Sequence, residues 1–177
     1  MAGHRSLILT VVLLIVACQS GTRRELQTPL RQEGQSRDAA PSGNHCTLDT
    51  EAAEKVRIGI NRLRSRQRSM PLIVDGPLMA AAQDHARFLL QKSELTHAGQ
   101  RGDGPAERLE NLGLTRRFVA ENLARFHHRD DPHDYVLGYW WEQNQEGENM
   151  ILSRYHRMGF AFAGDSDYCV AVLLLTN

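Results

Sequence analysis

The residues Met158-Gly159-Phe160-Ala161-Phe162-Ala163, then Gly164-Asp165-Ser166-Asp167, then Tyr168-Cys169-Val170-Ala171-Val172-Leu173-Leu174-Leu175 decide the fold of this chain. Two apolar runs flank four residues that favour a turn, which is the pattern of an antiparallel hairpin. The second run is almost wholly apolar, so it has no side to show to water and must be covered on both faces. Working outward from it, the rest of the sequence supplies helices for that cover.

Ala52, Val56, Ile60 and Leu63 recur at helical spacing behind Thr47 and Asp49, either of which suits the cap position. After Arg68-Ser69-Met70-Pro71 comes the short stretch Leu72-Ile73-Val74, and Asp75-Gly76-Pro77 then opens a second helix with Pro77 in its first turn. Leu78, Ala82, His85 and Leu89 share one face of that helix, which reaches about to Ser93, and His85 on such a stripe reads as a core residue. Pro105 starts a short third helix that Gly113 stops. Residues 118–123 carry the pair Glu121-Asn122. Asp131-Pro132-His133-Asp134 starts a fourth helix, with Asp131 as cap and Val136, Tyr139 and Trp140 spaced to pack inward. Helices on both sides of a small, mainly antiparallel sheet make an α+β domain.

With 177 residues, 41% hydrophobic and 24% charged, the chain suits one globular domain plus an extension, and it can bury a core without metal or a dense disulfide framework. There is no internal repeat. Basic and acidic residues balance at 21 each, and from residue 46 onward 16 basic face 18 acidic ones. This leaves no electrostatic footprint for nucleic acid, which is excluded as a partner.

Arg5 precedes an apolar run over residues 7–17, the plan of a secretory signal and too short for a membrane span of roughly 20 residues. The run ends in Ile15-Val16-Ala17-Cys18, which resembles the lipobox of bacterial lipoproteins; the resemblance implies lipidation of Cys18 and a membrane tether outside the cytoplasm. Cleavage after Ala17 or Ser20 is the alternative. Residues 19–45 hold only two leucines, Leu26 and Leu30, too little apolar surface to offset ordering, and read as a flexible tether. The expected organisation is therefore a signal over 1–18, a tether over 19–45 and a domain over 46–177. With Cys18 lipidated, Cys46 and Cys169 form an even pair in an oxidising compartment and are expected to form a disulfide, two buried thiols being the alternative.

Three segments carry candidate chemistry: Leu95-Thr96-His97-Ala98-Gly99, Val119-Ala120-Glu121-Asn122-Leu123, and a helix ending in Trp140-Trp141 that leads into Asn149-Met150-Ile151-Leu152. Arg108 and Gly113 lie between the first two, and Met158-Gly159-Phe160 follows the third. In that order the segments resemble the CAP superfamily of cysteine-rich secretory proteins, antigen 5 and pathogenesis-related 1 proteins, and in particular its bacterial SCP-type members, over residues 47–177. The resemblance implies a three-layer α-β-α sandwich. It also implies a cavity between sheet and helices lined by two histidines and one or two acidic residues, which in some members hold a divalent metal.

His97 matches the first histidine and Glu121 the acidic residue before Asn122. Trp141 aligns with the family Trp, Asn144 replaces its Ser, Glu146 its Gly, Gly147 the second histidine and Met150 the Asn, and a one-residue slip that aligns Asn149 with that Asn restores no histidine either. His156 belongs to the entry of the next strand. The candidate cavity residues are thus His97, Glu121, Asn122, Trp141 and Asn144. A lone His and Glu bind zinc weakly, so no cofactor is expected beyond weak divalent metal binding. The pair can instead be structural, with Glu121 accepting a hydrogen bond from His97, fixing its tautomer and raising its pKa.

Other chemistry is thinner. The segment His127-His128-Arg129-Asp130-Asp131-Pro132-His133-Asp134 concentrates ligand-type side chains but reads as a solvated loop before a helix. Ser93 has no nucleophile elbow around it, and Glu142 or Glu146 beside Glu121 is a thin basis for glycoside hydrolysis. The expected function is an extracytoplasmic, membrane-anchored lipoprotein that binds a lipid, an envelope component or a protein around a degenerate cavity. In a source with two membranes its place is the outer membrane or the periplasmic face. The competing expectations are a hydrolase or metal-dependent enzyme using His97 and Glu121, and an interaction module whose loops carry recognition.

Overall fold

The computed structural model of the chain describes Cys46 and residues 50–177. The signal over 1–18 with Cys18, the tether over 19–45 and the caps Thr47 and Asp49 lie outside the described residues. In chain order the elements are α1 (Thr50–Arg66), β1 (Ile73–Val74), α2 (Gly76–Leu90), α3 (Pro105–Asn111), β2 (Val119–His127), α4 (Pro132–Glu142), α5 (Asn144–Ile151), β3 (Arg157–Gly164) and β4 (Tyr168–Thr176).

The tail hairpin is the centre of the sheet. β3 and β4 pair antiparallel from Arg157 opposite Thr176 to Gly164 opposite Cys169. Their turn is held by the Asp165 carboxylate, which accepts from the backbone N–H groups of Asp167 and Tyr168 at 2.8 Å each. β2 pairs antiparallel with the other edge of β4, and the short β1 runs parallel to β3, giving the order β1-β3-β4-β2. Residues 169–176 of β4 are all buried. Each large apolar side chain so covered stabilises the fold by roughly 1.5–3 kcal/mol.

The strand alternation splits the core in two. Cys169, Ala171, Leu173 and Leu175 join Phe126, Phe160, Phe162 and the buried faces of α1, α4 and α5 in one cluster. Val170, Val172 and Leu174 join Ala161, Leu123 and the apolar faces of α2 and α3 in the other. The molecule is therefore the α-β-α sandwich anticipated from the sequence, with a mainly antiparallel sheet. Gly159 makes the α2 layer fit: a Cβ there would lie 2.2–2.5 Å from the backbone of Leu78 and Met79, so only glycine admits that close approach.

Local signals fix the helix ends near the site. The Asp75 carboxylate caps α2 by accepting from Leu78 N–H at 3.1 Å, and it also pairs with Arg157 at 3.1 Å. Gly104 N–H donates to the Glu107 carboxylate at 2.9 Å, opening α3, and Gly113 closes that helix with φ +76°.

Several sequence expectations are corrected. The Asp131 side chain makes no capping bond to α4; its backbone carbonyl accepts from Tyr135 N–H at 3.1 Å instead. Tyr139 is exposed, while Val136 and Trp140, one turn apart, face inward. The polar stretch after α4 forms a fifth helix, burying only Gly147, Asn149 and Met150. β2 runs on through His127, so the first residue of the supposed loop is a strand residue whose ring stacks on Tyr168 at 4.5 Å.

Arg64 was not anticipated as a core residue. It is fully buried at the end of α1, and its guanidinium donates to the carbonyls of Met70, Met150, Leu152 and Tyr155 at 2.7–3.0 Å. Three backbone dipoles thus hold α1 to the end of α5 and its connection to β3, and the fourth, at Met70, fastens the segment that leaves α1. Cys46 and Cys169 form a disulfide with Cα atoms 5.6 Å apart, across 123 residues of sequence, which sets aside the two-thiol alternative. A loop of this length is worth about 4–5 kcal/mol in chain entropy.

Candidate functional site

Glu121 lies on the edge strand β2 with its side chain turned to the α2 and α3 layer and fully shielded from water. A carboxylate so placed must have partners, and the sequence supplies them from three other segments. His97, in the loop after α2, donates from Nδ1 to Glu121 Oε1 at 2.9 Å. Arg108, on α3, donates from Nη2 to Glu121 Oε2 and from Nη1 to the carbonyls of His97 and Asp103. His85, on α2, brings Nε2 to 3.6 Å from Glu121 Oε1 while donating to the Thr96 carbonyl at 3.1 Å.

The two histidines are driven in opposite directions. The hydrogen bond to Glu121 raises the His97 pKa, with the nearby Glu146 carboxylate adding to it, against burial and the Arg108 charge. Burial lowers the His85 pKa, outweighing the attraction of Glu121, so His85 is held neutral. The His97 side chain remains 60% exposed, with its Nδ1 committed inward.

His85 and Arg108 also line an open cleft of about 400 Å³ between α2 and α3, with Ala81, Phe88, Arg101 and Asp103 among its other walls. The rings of His85 and Phe88 stack at 5.8 Å. The buried carboxylate therefore sits behind the wall of a cleft. His85, read from the sequence as a core residue, is buried, and it is also part of this wall. Sequence spacing shows which helix face is covered but not what lies beneath it.

The other candidate residues do not join the pair. Asn122 alternates to the opposite face of β2, where it donates to the Glu146 carbonyl at 3.0 Å and accepts from Asn149 at 2.9 Å, tying α5 to the sheet. Trp141 is exposed and borders a separate cleft of about 260 Å³ between α1 and α4, with Arg62, Leu63 and Leu137. Asn144 is exposed at the start of α5. It is Trp140 that is fully buried, its indole N–H donating to the Leu123 carbonyl at 3.1 Å. Gly147 is buried with its Cβ direction toward the Trp141 and Trp140 carbonyl oxygens, 3.1 and 3.4 Å away, and so toward the end of α4.

The arrangement does not fit a divalent metal held between His97 and Glu121. Both Glu121 oxygens are occupied by N–H donors, the inner His97 nitrogen is one of those donors, and the Arg108 cation stands where a metal charge would have to go. Among the described residues the side-chain hydrogen bond of His97 runs to Glu121. His128 has left the supposed loop cluster: its Nδ1 lies 3.4 Å from Cys169 Sγ, and Cys46, His128 and Cys169 bring their ligand-type atoms within 4.8 Å of one another.

Comparison with known proteins places this geometry. An outer surface protein from Borrelia burgdorferi shares the fold with a TM-score of 0.65 at 19% identity, over 72% of this chain and 93% of that one. A cysteine-rich secretory protein from Staphylococcus aureus subsp. aureus Mu50 gives 0.56 at 19% identity, over 72% of this chain and 38% of that one. An extracellular protein containing an SCP domain from Bacillus anthracis str. Ames gives 0.56 at 15%, over 70% and 40%. The chain thus spans less than half the length of the last two, and at these identities the likeness is one of fold. No curated protein matches the sequence. The sequence model of the cysteine-rich secretory protein family, CAP, covers residues 59–175, and with the sandwich it defines, this chain belongs to that family.

Proposed function

We propose that this chain is an extracytoplasmic binding protein, tethered to a membrane through lipidated Cys18, that takes its ligand in the cleft between α2 and α3. The observation that carries this reading is the saturation of Glu121. With Arg108 on one oxygen and His97 on the other, its charge is spent inside the protein, which suits a clamp shaping the cleft wall rather than a general base. The Cys46–Cys169 disulfide supports an oxidising compartment.

The cleft lining selects the class of ligand. Phe88, stacked on the buried His85, gives the cleft an aromatic wall, and Asp84, Arg101 and Asp103 offer polar groups of both signs. An envelope glycan fragment, with one apolar sugar face and several hydroxyl or amide groups, fits that mixture better than a fatty chain does. Mass spectrometry of small molecules carried through gentle purification from the native membrane, followed by calorimetry with soluble glycan fragments, tests it. Phe88→Ala is expected to weaken binding at least tenfold. Equal affinity in wild type and Phe88→Ala, or a fatty acid as the sole co-purifying molecule, would overturn the cleft assignment. In the tether test, labelled fatty acid enters wild type and not Cys18→Ser.

The enzymatic reading keeps one observation in its favour, the exposed His97 ring with a raised pKa beside an orienting carboxylate, as in the His–Asp half of a triad. Turnover of an envelope substrate that disappears in His97→Ala while binding persists would establish it over the clamp.

A further inference from the structure

We infer that reduction of the Cys46–Cys169 disulfide creates a zinc site whose protein ligands are Cys46 Sγ, Cys169 Sγ and His128 Nδ1, its two cysteines in the core cluster on the opposite sheet face from the Glu121 cluster. The three ligand-type atoms already lie within 4.8 Å of one another, and both cysteines are fully buried. Zinc takes thiolate and imidazole donors at about 2.3 and 2.0 Å, so a shift of the two sulfurs away from each other brings all three donors around one ion, with water as fourth ligand.

The histidine is prepared for this in its tautomer. His128 Nε2 lies 2.6 Å from the Asp165 backbone carbonyl, and only a protonated nitrogen can donate there. The proton therefore sits on Nε2, and the Nδ1 lone pair faces Cys169 Sγ at 3.4 Å. An imidazole that donates its far N–H to a backbone carbonyl while presenting the other nitrogen is the usual support for a metal-bound histidine. That carbonyl is itself fixed, since the Asp165 turn is closed by its own carboxylate and by Asp165 N–H donating to the Tyr168 carbonyl at 3.0 Å. Cys169 is held at the hairpin end of β4 between two paired strands, opposite Phe126 on one side and Gly164 on the other.

Charge decides the metal's advantage. Two buried thiolates without a counter-ion are strongly disfavoured, whereas one divalent cation cancels both. In balanced form, a dithiol passes two electrons and two protons to the disulfide, yielding two cysteine thiols and the oxidised, cyclic dithiol. Zinc then displaces the two thiol protons to the solvent and binds two thiolates and the neutral imidazole. An excess of a disulfide oxidant reverses the sequence by thiol–disulfide exchange, taking two electrons from the two thiolates and two protons from solvent to become the dithiol, and releases the ion.

Cobalt(II) is the direct probe, because a tetrahedral site with two thiolates gives intense visible ligand-field bands and sulfur-to-cobalt charge transfer. The full chain carrying Cys18→Ser leaves Cys46 and Cys169 as its only cysteines. After dithiol reduction and removal of the reductant, it is expected to take up one cobalt per chain with two-thiolate charge transfer, and zinc should bleach the bands. The oxidised chain should show none. His128→Ala, a change at a half-buried residue that keeps both sulfurs, is expected to weaken cobalt binding at least tenfold. His97→Ala should leave the spectrum unchanged. Circular dichroism is followed alongside, so that a reduced chain which loses its fold and regains it with cobalt supports the site as well. Reduced chain that binds no cobalt, whether folded or not, or a spectrum and affinity indifferent to His128→Ala, would overturn the inference.

Discussion

Arg64 and Glu121 are both buried charges, on opposite sides of the same sheet, and the domain neutralises them by different means. Arg64 has four backbone carbonyls around its guanidinium and, among the described residues, no carboxylate, while Glu121 has an arginine, a directly bonded histidine and a second histidine nearby. A carbonyl cage suits a group that stays charged at all pH values a protein meets, so the Arg64 region is a fixed staple. The Glu121 cluster contains two histidines whose protonation is pushed in opposite directions by their surroundings, and it lies behind a cleft. The difference separates the part of the domain that holds from the part that can respond.

The largest expected effect comes from the staple. Arg64→Met keeps much of the volume but takes the guanidinium donors from four carbonyls, those of Met150 and Tyr155 in fully buried bonds, and about 4 kcal/mol of unfolding free energy should be lost in denaturant titration. No second substitution nearby should restore it, because backbone carbonyls cannot be removed. The ionic cluster should behave otherwise. Arg108→Met leaves the Glu121 carboxylate buried with only histidine partners and should cost about 3 kcal/mol. Adding Glu121→Leu to Arg108→Met removes the stranded charge and should recover most of that loss. A double variant no more stable than Arg108→Met would show that Arg108 acts through its bonds to the His97 and Asp103 carbonyls rather than through charge, and the contrast with Arg64 would collapse.

The sequence disclosed these two regions unequally. The hairpin was legible because β4 has no polar face, and two-sided cover by helices follows from that alone. Arg64 continues the buried spacing of Val56 and Ile60 on α1, so the signal existed, but arginine on an apolar stripe is ordinarily read as an exposed edge. Helix α5 was hidden because its sequence, Asn144-Gln145-Glu146-Gly147-Glu148-Asn149-Met150-Ile151, is polar and its burial rests on a glycine, an asparagine and a methionine. The same stretch and the end of α4 before it carry the motif residues Trp141, Asn144 and Gly147. Helical spacing from Val136 put Trp140 inward, yet the motif alignment placed weight on Trp141 and Gly147. In the folded chain Trp140 is the buried indole, Asn149 meets Asn122, and the Glu146 carboxylate is the α5 group whose charge reaches His97. His85 and Arg108 were visible as residues but not as partners of Glu121, since contacts among three elements have no spacing in sequence.

The smallest expected effect is also the most diagnostic of the cluster, because it concerns protons. His97 has its pKa raised on folding, so its contribution to stability is complete below the ordinary histidine value of about 6.5 and disappears as pH rises through the higher folded value. His85 has its pKa lowered, so its contribution is present above about 6.5 and is lost as pH falls toward the lower folded value. Together the two histidines favour a stability maximum near pH 6.5, with the alkaline limb due to His97 and part of the acid limb due to His85. His97 is well exposed and Arg108 still neutralises Glu121 without it, so solvent screening keeps the alkaline limb below about 1 kcal/mol. Denaturant titrations from pH 5 to 9 on wild type and His97→Ala check this on the pH range where histidine titrates. The alkaline decline should flatten in His97→Ala with the acid side unchanged. A decline of equal size in both proteins would mean that the Glu121 clamp is set by Arg108 alone and that His97 is free for the chemistry of the enzymatic reading.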